Sequence, residues 1–186
     1  MRTMKLGESI FAPTLARKLG DTTHISPLYR RIIQAAGSEE KAGPWLLKVA
    51  VQRGARHYRR DFDPNLPDDE RSLSDEEIGV ALCLGHLPDR PVFIRAASQL
   101  LSSPRTDPVK LAHLARMERC EAVLMHIANA ALRTAPSVEP WASLRKLLRV
   151  RKLAPEGVLP HWSRFVSMTG VTQHGGSHID WLTRYE

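Results

Sequence analysis

Residues 74–101, SDEEIGVALCLGHLPDRPVFIRAASQLL, decide the fold class of this chain. Ser74 stands three positions before Glu77, the spacing at which a hydroxyl takes the third helical amide while the carboxylate reaches back to the cap amide. An apolar helical run follows and stops at Gly85 and Pro88, and a second resumes at Pro91. This spacing predicts helices over 75–84 and 91–102 joined by residues 85–90, a helical hairpin. Its inward residues are Ile, Val, Ala and Leu, which build a core and carry no chemistry.

Toward the N-terminus, Ser26 and Pro27 supply a cap and a first helical position, and Gly37 supplies the stop, so a helix is expected between them. Residues 11–20 permit one short helical turn. A further helix is expected from Pro44, with Leu47, Val51, Ala55 and Tyr58 on one face and a basic opposite side. From Asp61 to Leu73 the composition turns to Asp, Pro, Asn and Glu, and Pro64 and Pro67 break any period, which reads as a surface loop.

Downstream, Asp107-Pro108 opens a helical segment without Gly or Pro until Pro136. As one helix it would align Leu114, Met117, Glu121, Leu124, Ala128 and Ala131. As two, it would repeat the hairpin at an offset of 33 residues, with Ile78 matching Leu111, Ile94 matching Ile127 and Ala97 matching Ala130. Against the repeat, the breaker at Gly85–Pro88 maps onto Glu118-Arg119-Cys120-Glu121, which holds no breaker. Pro140 starts a last helix, ending before Pro155, with Trp141, Leu144, Leu147 and Leu148 inward. In the tail Ile179, Trp181, Thr183 and Tyr185 alternate and Gly175-Gly176 suits a tight turn, so a β-hairpin docked by Trp162, Phe165 and Trp181 is expected.

The fold class is therefore mainly α: a compact helical bundle or short helical-repeat array of six to seven helices with a small C-terminal β-hairpin. One domain spans 1–186, comprising basic helices (1–60), an acidic Pro-containing loop (61–73), a helical core (74–152) and the hairpin appendage (153–186). A chain of 186 residues needs no disulfide staples. Cys83 and Cys120 both sit inside apolar helical patterns, as buried reduced thiols do. The first residues lack the apolar run of a signal peptide and no segment is long enough to span a bilayer, so a cytoplasmic location is expected.

The net charge of +7 is distributed in blocks. Residues 1–60 hold twelve Lys and Arg against four acids, whereas residues 61–90 hold two against nine. A basic surface can steer an anionic partner, yet the acidic block can equally fold back and neutralise its neighbour. Two basic ridges suit a phosphate backbone. One is Lys48, Arg53, Arg56, Arg59 and Arg60, and the other is Arg145, Lys146, Arg149 and Lys152. A helical polar face must nonetheless be filled by something, and solvated charge is the simpler reading.

No phosphate-binding loop, dinucleotide fingerprint, nucleophile elbow or His-Glu-x-x-His occurs. His161, His174 and His178 form the only histidine group that suggests a metal, and hairpin-turn residues explain them as well. Asp75-Glu76-Glu77 is accounted for by capping, and His113 and His126 by partial burial. The sequence thus favours a non-enzymatic helical interaction module that binds a protein partner, with homo-oligomerisation open and no cofactor. The alternative is nucleic-acid binding through the ridges, and a third reading is a small metal-dependent enzyme using the tail histidines.

Overall fold

The computed structural model describes residues 25–55, 62–85, 87, 90–148, 150, 159, 168–172, 175–179 and 182. Seven helices lie among them: α1 (Pro27–Ala36), α2 (Glu39–Gln52), α3 (Asp75–Leu82), α4 (Arg90–Leu101), α5 (Pro108–Met117), α6 (Glu121–Thr134) and α7 (Trp141–Leu147). The protein is mainly helical.

Helix starts follow the side chains that can satisfy free amides. Ser26 Oγ accepts from the Tyr29 amide at 3.1 Å, ahead of Pro27. At α3 both arms of the capping box are made, with the Glu77 amide on Ser74 Oγ at 3.3 Å and the Ser74 amide on Glu77 Oε2 at 2.8 Å. Asp107 Oδ1 accepts from the amides of Val109 and Lys110 ahead of Pro108. Such bonds join residues two or three apart, and for that reason the sequence announces them.

The boundaries of α2 and α7 differ from expectation, and residues 108–134, open between one helix and two, take the second arrangement. α2 begins at Glu39 and not at Pro44, because Ser38 Oγ caps it by accepting from the Lys41 amide at 3.3 Å. Pro44 then lies in the second turn on the exposed side, where it deprives the carbonyl of Glu40, itself an exposed residue, of its helical amide. The buried face of α2 is correspondingly wider, running through Ala42, Trp45, Leu46, Leu47, Val49 and Ala50, while Val51 is half-buried. The helix stops at Gln52 because Gly54 takes φ +120°, and the amides of Gly54 and Ala55 fold back onto the carbonyls of Val51 and Ala50.

Residues 108–134 form two helices and not one. The break uses the same backbone hydrogen bonds without glycine: Arg119 adopts φ +55°, its amide reaches the Arg116 carbonyl, and the Cys120 amide reaches the Ala115 carbonyl at 3.0 Å. Cys120 and Ala115 are both buried there, which offsets the strain of a left-handed Arg. Met117, placed inward by the one-helix reading, is 64% exposed. Finally, α7 ends at Leu147, with Leu148 extended and buried. Arg116 Nη2 from α5 donates to the Leu147 carbonyl at 2.7 Å and so closes that terminus.

Packing runs along the chain. α1 packs on α2 and α3, α3 also on α2, α4 and α5, α5 on α6 and α7, α2 on α4, and α6 on α7. Thus α1, α3, α5 and α7 are successive neighbours, and α3 packs on four other helices. The fully buried side chains Ile32, Leu46, Ile78, Leu82, Ile94, Leu100, Leu101, Leu111, Leu124, Ile127 and Trp141 fill the space between them. Each contributes about 1.5–3 kcal/mol by leaving water. All three residue pairs of the 33-residue offset fall in this core, from Ile78 and Leu111 to Ala97 and Ala130.

Beyond the helices, Met168–Thr172 and Gly175–Ile179 run antiparallel with Gly170 opposite Ser177. The expected docking residues Trp162, Phe165 and Trp181 lie outside the described residues, as does the short turn expected over 11–20.

Candidate functional site

The acidic loop and the start of α3 take up charge from three helices. Arg53, at the end of α2, points its guanidinium into the loop: Nε donates to Asp69 Oδ2 at 2.6 Å, Nη2 to Asp69 Oδ1 at 2.5 Å, and Nη1 to the Leu73 carbonyl at 2.8 Å and Asp75 Oδ1 at 3.1 Å. The Arg53 and Asp69 side chains are only 9% and 12% exposed. A planar fork on a carboxylate is the strongest of the common ion-pair geometries. The Arg53 hydrogen bonds hold the Asp69 carboxyl below its usual range despite burial. Burial alone would lower the Arg53 value, yet its bonds to Asp69 and Asp75 raise it.

One turn earlier, Lys48 Nζ donates to the carbonyls of Leu66 at 2.8 Å and Pro67 at 3.3 Å and pairs with Asp68 at 3.1 Å. Two of the ridge cations proposed for phosphate contact are thus turned onto the acidic loop, the internal neutralisation that the charge blocks allowed. Arg56, Arg59, Arg60 and Lys152 lie outside the described residues, as does Arg149. Arg145 and Lys146 are exposed on α7. α2 ends at Gln52 and α7 at Leu147, so neither ridge is carried by one continuous helix as expected.

The three acids of the first turn of α3 each bind a different helix, a role that capping alone had not suggested. Asp75 meets Arg53 of α2. Glu76, buried, accepts from the Asp107 amide at 3.1 Å and faces Lys110 Nζ at 3.4 Å, at the start of α5. Glu77 completes the capping box and also pairs with Arg31 of α1, whose Nη2 donates to the Ser72 carbonyl at 3.0 Å. Burial pushes the Glu76 carboxyl up, but the Asp107 amide, the Ser74 hydroxyl and Lys110 outweigh it and the carboxyl sits low. Glu77 is held low in the same way, burial being outweighed by the Ser74 amide and Arg31.

Beside this junction a cleft of about 360 Å³ opens between α1, α2 and the loop, lined by Arg31, Gln34, Ala35, Trp45, Asp68, Glu70 and Ser72. Trp45 is 2% exposed, and its indole Nε1 finds no acceptor among the described residues. Trp141 shows the usual solution: its Nε1 donates to Ser102 Oγ at 3.1 Å, and that hydroxyl in turn donates to the Ser98 carbonyl at 2.7 Å. The sequence reading gave Trp45 no part. Its only signal was a tryptophan next to Pro44, and nothing local shows whether an indole N–H meets an acceptor.

His161 and His174 lie outside the described residues, and His178 is described only by its backbone pairing opposite Thr169 on the strand Gly175–Ile179. Among the described residues no group of three or more His, Cys, Asp or Glu could hold a metal ion. His126 is half-buried, whereas His113 is exposed, against expectation, because α5 turns that side to solvent. Cys83 and Cys120 are buried free thiols, and burial, with the nearby Glu118, pushes Cys120 up to about 12. Among the described residues no helix is long and apolar enough to cross a membrane.

Fold and site define a mainly helical protein whose acidic loop is braced by ion pairs, that of Arg53 with Asp69 largely shielded, beside a polar cleft. Compared with known proteins, no family model matches the sequence, no curated protein matches it, and no solved structure matches the chain.

Proposed function

We propose that this protein is a non-enzymatic cytoplasmic interaction module, a short array of helix pairs with an appended C-terminal hairpin, which binds a protein partner at the cleft between α1, α2 and the 62–74 loop. The observation that carries this reading is the polar cleft itself, framed by three segments and fixed on one side by Arg31, which is bonded to Glu77 and the Ser72 carbonyl. Arg31 in its wall is held by Glu77 and the Ser72 carbonyl, and Lys48 meets Asp68, so part of the wall is set before anything enters, which lowers the entropy lost on binding. A cleft of this size, lined mostly by polar side chains, takes a short segment of chain more readily than a duplex.

The test is site-specific photocrosslinking in the native cell, with benzoylphenylalanine replacing Gln34 at the rim in the full chain and Pro136, exposed between α6 and α7, as the control position. A protein adduct at Gln34 and none at Pro136 is expected. No adduct at Gln34, or an adduct removed by nuclease, refutes the reading.

A further inference from the structure

Resting on that reading, we infer that residues 67–72 are a hinged wall of the cleft, a lid pivoting at Leu66 and Leu73 and latched by cations of α1 and α2, which opens to admit the partner's segment. The two ends of the stretch are fixed by apolar burial, since Leu66 and Leu73 are 5% and 3% exposed and belong to the core. Between them no side chain is buried: Asp68, Glu70, Arg71 and Ser72 are exposed, and Pro67 and Asp69 are half-buried. Residues 67–72 make no backbone–backbone hydrogen bond among the described residues. What holds them is side chains reaching out from two helices. Lys48 donates to the Pro67 carbonyl and Asp68, Arg53 forks on Asp69, and Arg31 donates to the Ser72 carbonyl. A stretch with so few buried contacts of its own opens at lower free energy than the helices it lies on.

Asp69 is the central latch. The Oδ1 that accepts from Arg53 Nη2 also accepts from the Arg71 amide at 2.9 Å, and Arg71 stands at φ +53°, a left-handed conformation that is unfavourable for a residue with a Cβ. The closed turn is therefore strained, and the Arg53 fork is what keeps Asp69 in position to hold it. Strain favours opening and the fork opposes it, which gives the stretch two alternative states. The position of the stretch gives the opening its consequence. Arg31, Gln34, Ala35 and Trp45 of the cleft lining belong to α1 and α2, whereas Asp68, Glu70 and Ser72 belong to the stretch. Swinging residues 67–72 outward about Leu66 and Leu73 thus widens the cleft without unpacking a helix.

The inference is tested on the full chain carrying nitroxide labels at Gln34→Cys and Glu70→Cys, one on the α1 wall and the other on the stretch, with Cys83 and Cys120 buried away from the reagent. Electron paramagnetic resonance reads the label separation, and far-UV circular dichroism reads the helices in the same samples. A short separation is expected with the latch intact. Asp69→Asn, which removes the charge held by Arg53, should raise the fraction at longer separation by roughly fivefold or more with helix content unchanged. Arg53→Lys, which keeps the charge and loses the fork, should raise it by less and serves if Asp69→Asn does not fold. A short separation retained in both variants overturns the lid. A longer separation that appears only as the helices melt also overturns it, since the stretch then opens only with the core. A protein adduct at Gln34 with a wall that never opens defeats this inference alone, whereas a wall that opens with no adduct at Gln34 defeats the reading beneath it.

Discussion

Gly79 lies inside α3, where helix propensity alone recommends alanine by about 1 kcal/mol. The tertiary structure reverses that preference. A Cβ built on Gly79 would stand 2.5 Å from both Cγ and Cδ2 of Leu101 and 2.7 Å from its Cδ1. Favourable carbon contacts begin near 3.5 Å, so Leu101 would have to retreat by roughly 1 Å. It has nowhere to go, since it is fully buried in the core at the end of α4. Overpacking of this kind costs about 1–3 kcal/mol, against a propensity gain of about 1 kcal/mol, so Gly79→Ala should destabilise by about 1 kcal/mol net. Urea unfolding followed by far-UV circular dichroism measures it. The companion Leu101→Ala alone should cost about 2–5 kcal/mol. The double variant should cost less than the sum of the two by about 1–2 kcal/mol, because each change makes room for the other. An unfolding midpoint raised by Gly79→Ala, or additivity within about 0.5 kcal/mol, would refute the close crossing of α3 and α4.

Arg53→Met should cost about 3 kcal/mol or more, because Asp69 would keep its charge in a largely closed site without a partner, and Asp69→Asn made in the same background should recover part of that loss in urea titrations. Asp69, Glu76 and Glu77 all titrate below their unfolded values, so their stabilisation is complete above the ordinary carboxylate range, near pH 4 to 5, and is lost as pH falls through the depressed values. Unfolding free energy should be flat from neutral pH to about 5 and fall below about 4, less steeply in Asp69→Asn. Arg119→Gly should stabilise by about 0.5–1 kcal/mol by relieving the left-handed backbone, and a lower melting temperature would contradict that geometry. Cys120, held at about 12, presents roughly one thiolate in ten thousand at pH 8, so iodoacetamide should leave it unmodified in the folded protein and label it in urea.

The sequence by itself determined what depends on neighbours along the chain. Ser26 with Pro27, Ser74 with Glu77, and Asp107 with Pro108 were legible because cap and amide lie within three residues of each other. The apolar spacing that follows them fixed a mainly helical class. The break between α5 and α6 was hidden, because Arg119 takes a conformation that glycine usually marks. Tertiary structure alone decided which partner each charge received. Arg53 meets Asp69 across 16 residues, Glu76 meets Asp107 across 31, and Arg31 meets Glu77 across 46. Composition offered every one of these carboxylates to every cation, and only the packing of α1, α2 and α5 around the start of α3 selected among them. The same holds for Trp45: a buried indole is readable from an apolar face, but the lack of an acceptor depends on what lies opposite, and that is set by the fold.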